Sequence, residues 1–270
     1  MSIKNKRRVS KEGGHAGDLP SFAFKGVPMS KKPKNNKQQS FNNHQLEAQK
    51  KAAHFELRHI KPLTPNQERV FNAYNQGYHL MLHGFAGTGK TFCALYLALN
   101  ELLTKETIYN KIVIVRSVVP SRDMGFLPGS MKEKIMVYEE PYREICDSLF
   151  GRGDGYDILK MKGLVQFTTT SYLRGLTFNN AIVILDESQN LSFPECDTVI
   201  TRMGDESRLI VCGDYRQTDL NKPHEKEGIT QLMRITSRIN TFQSVEFEKE
   251  DIVRSGLVRS YIIHKHELGL

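Results

Sequence analysis

Apolar residues recur along this chain with two spacings, and their alternation sets the architecture. Short, partly β-branched apolar runs stand at Tyr78 to His83, Lys111 to Arg116, Leu164 to Thr168, Ala181 to Asp186 and Arg208 to Cys212. Most are separated by helical or loop-rich stretches. Continuous apolar strands alternating with helices imply an α/β fold with a mostly parallel sheet covered by helices on both faces. Thr64-Pro65-Asn66-Gln67 supplies an N-cap hydroxyl, Pro at the first helical position and Gln three residues on, so a helix is predicted to about Asn75. Phe92 to Leu103 is helix-forming, and Ser130 to Glu133 and Ser192 to Glu195 look like capping boxes opening helices at about 131 to 149 and 193 to 203. A further strand is expected at Ser244 to Phe247, then an apolar stretch at Leu257 to Ile263. There is no internal repeat.

Residues 1–42 are rich in Lys, Asn, Gly, Ser and Pro with only scattered apolar positions, which predicts a disordered basic leader. Helical spacing at Leu46, Ala53 and Leu57 predicts a linker helix within 43–62, leaving 63–270 as the domain. The net charge of +8 changes this picture, because residues 1–62 hold 14 Lys/Arg against 4 Asp/Glu and the remainder 24 against 26. Attraction to nucleic acid would therefore come largely from the leader. Cys93, Cys146, Cys196 and Cys212 form no C-x-x-C pair, as expected of reduced, buried thiols in the cytoplasm. The basic N-terminus runs into Gly13 and Gly14 rather than an apolar stretch, so no secretory signal is expected, and no run approaches membrane-spanning length.

Between the first strand and the following helix, Gly84-Phe85-Ala86-Gly87-Thr88-Gly89-Lys90-Thr91 is a full GxxxxGK[ST] loop. Glycines allow the backbone to bend so that successive N–H groups face phosphates. Lys90 can reach the terminal phosphates, and Thr91 can offer its hydroxyl to Mg²⁺. This implies a nucleoside triphosphate site. The strand Ala181 to Leu185 ends in Asp186 and Glu187, at the edge where a doubly wound sheet presents its chemistry. Asp186 can hold Mg²⁺, directly or through water, and Glu187 can accept a proton from a water attacking the γ-phosphate. Alone, an Asp-Glu pair after a strand is an ordinary solvated turn; downstream of a complete phosphate loop it gains a role.

The strand Arg208 to Cys212 leads into Gly213-Asp214-Tyr215-Arg216-Gln217-Thr218-Asp219, where Gln217 is a candidate γ-phosphate sensor whose amide can bond both phosphate oxygen and water. Gln67 has two competing jobs, closing the capping box with Thr64 or reading the adenine edge. Arg116, Arg174 and Arg254 stand at or just beyond strands or turns, where a guanidinium can fork onto phosphate oxygens. No run of aromatics among basic residues stands out; Phe126, Tyr142 and Tyr172 are candidate base-stacking platforms, and each has an equally plain use in core or rim.

Asp186-Glu-Ser-Gln189, Gly213-Asp-Tyr-Arg-Gln-Thr-Asp-Leu220, and Gly125-Phe-Leu-Pro-Gly-Ser-Met-Lys-Glu-Lys134 followed by Glu140-Pro-Tyr142 resemble the PhoH family, including its bacteriophage members, over about Leu63 to Val258. The same chain is similar to the first motor domain of superfamily 1 helicases, which implies a RecA-like P-loop NTPase. That resemblance sets Gln67 at the Q-motif position, Lys90 and Thr91 in motif I, Arg116 at motif Ia, Asp186 and Glu187 in motif II, and Gln217 in motif III. Arg254 stands where the family has a late arginine, which implies a finger role. Phe85 replaces a usual proline, Ser188 replaces the alanine of Asp-Glu-Ala-Gln, and residues 221–229 follow the family pattern only loosely.

The resemblance implies a cytoplasmic ATPase converting ATP to ADP with Mg²⁺, helicase-like, acting on RNA or single-stranded DNA. Only about 53 residues follow Gln217, too few for a second motor domain, so a homo-oligomer in which each site borrows a neighbour's arginine is expected. Two alternatives remain at this point: a small-molecule kinase, against which Glu187 beside Asp186 argues, and an ATP-dependent switch that docks a partner with incidental hydrolysis.

Overall fold

The computed structural model describes residues 55–104, 106–117, 131–214 and 228–268. In chain order the elements are α1 (Pro65–Asn75), β1 (His79–Gly84), α2 (Lys90–Thr104), β2 (Lys111–Arg116), α3 (Met131–Phe150), α4 (Gly155–Met161), β3 (Val165–Thr169), β4 (Ala181–Asp186), α5 (Phe193–Ile200), β5 (Arg208–Gly213), α6 (Gly228–Thr236), β6 (Phe242–Phe247) and α7 (Gly256–Glu267). The six strands form one sheet in the order β3-β2-β4-β5-β1-β6, and all five pairings are parallel. The expected mostly parallel sheet is thus wholly parallel among the described residues.

Side-chain alternation along each strand assigns the two faces. Leu80, Leu82, Ile112, Ile114, Ile182, Ile184, Ile210 and Cys212 point to a core shared with α1, α2, α3 and α4. Their neighbours Met81, Val113, Val115, Val183, Leu185, Leu209 and Val211 point to a second core under α5 and α6. Every residue of β4 and β5 is buried, as a strand covered on both faces requires. All four cysteines are buried and free. No described helix is long and apolar enough to cross a membrane.

Local chemistry explains the element ends. Thr64 caps α1 by accepting from Gln67 N at 3.3 Å, with Pro65 in its first turn. Ser192 N donates to Glu195 Oε2 at 3.0 Å at the start of α5. That helix stops at Ile200, three residues short of the expected end. No sequence signal announced α4 or α6, because α4 has seven residues and α6 opens on glycine and carries β-branched Ile and Thr. The linker helix expected within 43–62 lies outside the described residues up to 54. From Phe55 to Pro62 it is not formed. There the N–H groups of Arg58 and Ile60 go to Leu149 O (2.9 Å) and the Tyr96 hydroxyl (3.2 Å), and Phe55 stacks on Phe150, so tertiary partners replace the intrahelical bonds. The leader at 1–42, Phe126, the Ser130 capping box and Gln217 lie outside the described residues.

Candidate active site

Parallel registry brings the carboxyl ends of the strands to one edge: Gly84 pairs with Phe247, His83 with Gly213, and Arg116 with Asp186. Gly84 has φ +110°, and a Cβ there would overlap the Phe247 carbonyl, so only glycine lets β1 turn into the loop this close to β6. Gly87 and Gly89 also have positive φ, at +73° and +83°. The loop then runs into α2, whose first residues are Lys90 and Thr91.

Lys90 Nζ folds back onto two loop carbonyls, Gly84 O at 2.9 Å and Phe85 O at 2.7 Å. Burial pulls its ammonium below the usual lysine value, against the opposing pull of Asp214, Cys212, Glu187 and Asp186. Those carbonyls occupy donors that a phosphate would take. Thr88 is buried and its hydroxyl donates to Phe85 O at 2.9 Å.

Across the crevice, Thr91 Oγ1 donates to Asp186 Oδ1 at 2.8 Å. The other carboxylate oxygen, Oδ2, accepts from the Tyr142 hydroxyl at 2.8 Å. Burial, then the neighbouring Glu187, raise the Asp186 carboxyl above its ordinary range, while the bonds from Thr91 and Tyr142 and the charge of Arg116 oppose them. Burial and Asp186 hold the Tyr142 phenol well above its own ordinary value, so it stays a donor. Tyr142 is fully buried, which removes it as a base-stacking platform. A hydroxyl and one carboxylate within 2.8 Å form a hard-oxygen pair of the kind Mg²⁺ takes alongside substrate phosphates, so the residues fit that ion.

Glu187 sits in the left-handed region, φ 51° and ψ 40°, opening a 3₁₀ turn over Ser188–Asn190. A non-glycine residue there stores backbone strain at the carboxyl end of β4. Gln189 holds it: Nε2 donates to Glu187 Oε2 at 2.6 Å, while Oε1 accepts from Asp214 N at 3.1 Å. Ser188 is fully buried and its hydroxyl donates to Cys212 O at 2.9 Å, a bond that alanine lacks. Gln189 therefore ties the end of β4 to the end of β5, a role that sequence reasoning missed. Its amide two residues after Glu187 was the available signal.

Gln67 is buried, and it serves neither expected job in simple form. Its Oε1 accepts from Leu63 N at 2.8 Å, one residue before the cap, and its Nε2 donates to Thr88 O in the phosphate loop at 3.0 Å. The C-terminal segment closes on the same loop: Val253 N donates to Gly87 O at 3.0 Å, and Arg254 Cγ lies 2.8 Å from where a Cβ on Gly87 would stand. Arg254 is thus placed at the phosphate loop of its own chain. Phe85 is buried with its ring 4.7 Å from that of His266 on α7. Arg116 lies over the Tyr138 ring at 5.7 Å, and Arg174 and Tyr172 are exposed on the stretch after β3.

A glycine-rich loop between β1 and α2, facing the carboxylate end of β4 in a parallel sheet, defines a P-loop NTPase fold. The chain belongs to the PhoH-like protein family, whose model matches residues 59–265. It is 33% identical over 220 residues to a PhoH-like protein of Mycobacterium leprae, covering 78% of this chain and 61% of that one. A PhoH-like protein of Bacillus subtilis is 34% identical over 180 residues, covering 66% and 55%. Protein PhoH of Escherichia coli is 34% identical over 176 residues, covering 64% and 49%. The chain thus spans about half to three-fifths of the length of these relatives. Among solved structures, the large terminase of a thermophilic bacteriophage is a remote likeness, at TM-score 0.45 and 11% identity over 74% of this chain and 50% of that one.

Proposed function

We propose that this chain binds ATP on residues 84–91 and hydrolyses it to ADP and phosphate with Mg²⁺, acting as an oligomer on RNA or single-stranded DNA. The observation that carries the reading is the 2.8 Å bond from Thr91 to Asp186, which joins the phosphate loop to the strand end bearing Glu187. Lys90 exchanges its two loop carbonyls for terminal phosphate oxygens, and the loop N–H groups receive the rest. Thr91 and Asp186 hold Mg²⁺, which when bound neutralises charge on the phosphate oxygens. Glu187 takes the proton of the attacking water, and Gln189 fixes the carboxylate that does so. Arg254 supplies positive charge from its own chain, Gln217 senses the γ-phosphate, and Gln67 clamps the loop through Thr88. Exposed Tyr172 and Arg174, near the same sheet edge, support contact with the bases and phosphates of a strand.

The test is phosphate release from Mg-ATP by wild type and Glu187→Gln, with and without single-stranded RNA or DNA at two salt concentrations, alongside sedimentation to count subunits. Strand-stimulated hydrolysis that Glu187→Gln abolishes, with weaker stimulation at high salt, is expected. Slow hydrolysis indifferent to any strand would replace the coupled ATPase with a binding switch.

A further inference from the structure

We infer that Tyr142 is the positioning residue for the metal-bearing carboxylate, its hydroxyl holding Asp186 Oδ2 so that Oδ1 faces Thr91. The inference rests on the Mg²⁺-dependent reading above and adds to it a residue from a different part of the chain, 44 positions away. A carboxylate held only through Oδ1 keeps a soft torsion about its Cβ–Cγ bond. The second bond, at 2.8 Å, removes that freedom. Thr91 and Asp186 Oδ1 would give up their mutual hydrogen bond to hold an ion, whereas the Tyr142 bond is made to the other oxygen and could persist. Mg²⁺ demands near-octahedral geometry, so the angle at which Oδ1 is presented matters to its affinity.

Packing alone does not require this bond. Tyr156, equally buried against the same helix layer, leaves its hydroxyl without a hydrogen-bond partner, so this core accommodates a phenol that bonds nothing. Tyr142 instead sits in the middle of the 20-residue α3, directly after Pro141, and aims its hydroxyl out of the core into the site. The helix that follows residues 118–130 is by this route connected to the metal position, so a change in its seating is felt at Asp186.

Tyr142→Phe removes the hydroxyl and keeps the ring. Mn²⁺ binding in the presence of ADP, followed by electron paramagnetic resonance, should weaken about 10- to 100-fold, the usual effect of removing a partner that orients a metal ligand. ADP affinity in EDTA should stay within about twofold, because the loop contacts of the phosphates are untouched. Phe167→Leu, which alters the ring packed 5.8 Å from Tyr142 without touching the bond, should leave Mn²⁺ affinity in place. Unchanged Mn²⁺ affinity in Tyr142→Phe overturns the inference, as does an equal loss in Phe167→Leu or an equal fall in metal-free ADP affinity. A wild-type protein that takes up no Mn²⁺ with ADP overturns the Mg²⁺-ATP reading itself, whatever the variants do.

Discussion

A 2.8 Å bond from Thr91, at the start of α2, to Asp186, at the end of β4, joins the phosphate loop to the turn after β4, yet the two are held in different ways. The phosphate loop is secured through its backbone: Gln67 and Val253 donate to its carbonyls, Lys90 does the same, and Phe85 N donates to Phe247 O. Beyond β4 the important bonds run between side chains, Tyr142 to Asp186 and Gln189 to Glu187. A backbone-held loop keeps its shape through changes of side chain wherever glycine geometry is kept. A carboxylate aimed by another side chain depends on single atoms.

The largest expected effects test that division directly. Lys90→Ala should abolish detectable nucleotide binding and hydrolysis together, since the cation serves both. Glu187→Gln should retain ATP binding within a few-fold and lower kcat by about 10²- to 10⁴-fold, the range for loss of a general base. Equilibrium binding of a fluorescent ATP analogue beside single-turnover hydrolysis separates the two. Equal loss of binding in both variants would erase the distinction between the loops.

Gln189→Leu sharpens the comparison one step further out. It keeps the volume near Glu187 and deletes both bonds, to Glu187 Oε2 and from Asp214 N. The expected result is kcat lower by about tenfold with KM for ATP nearly unchanged, because positioning is lost and phosphate binding is not. A rise in KM at constant kcat would instead place Gln189 in nucleotide binding.

This contrast also explains what was legible in the sequence. Gly84, Gly87, Gly89, Lys90 and Thr91 form a contiguous pattern whose geometry is nearly self-contained, and Asp186-Glu187 could be placed by counting to the end of an apolar strand. Five of the six strands came within a residue of their places because alternation of apolar runs is a local signal. The partner that aims Asp186 was not local, and Gln189, though only two residues beyond Glu187, has no motif that marks it. Tyr142 reads as a base-stacking platform or a plain core or rim aromatic until α3 carries it to Asp186, and Gln67 reads as a cap or a base reader until the fold brings Thr88 O to its amide. Likewise, nothing in the spacing of Val253 and Arg254 shows that they close on Gly87, 166 and 167 positions earlier.

Contacts that only hold the backbone of the phosphate loop carry smaller expected effects. Gln67→Ala leaves Leu63 N and Thr88 O without their buried partner, at a cost of about 1–3 kcal/mol in unfolding free energy. ATP affinity should fall only a few-fold, since the loop N–H groups survive. Urea unfolding with and without Mg-ATP measures both quantities. A larger loss of affinity than of stability would return Gln67 to reading the base.

The smallest effect concerns the anchor beneath the C-terminal segment. Asp251 is buried and accepts from Asn66 Nδ2 at 2.7 Å and Glu248 N at 2.9 Å, fixing the turn that delivers Val253 to Gly87. Burial pushes its carboxyl up, but bonds from Asn66, Thr64 and the backbone outweigh this and leave it below the ordinary carboxylate range. The unfolded carboxyl titrates near about 3.9, so the stabilisation is fully present above that pH and is lost as pH falls through the lower folded value. Asp251→Asn should therefore be less stable than wild type by about 1–2 kcal/mol at pH 7, with the gap narrowing below about pH 4. Chemical denaturation at about pH 7, 5 and 3.5 reads the gap directly. A constant gap across that range would mean that the bonds to Asp251 do not depend on its charge, and that the segment over Gly87 is held by packing instead.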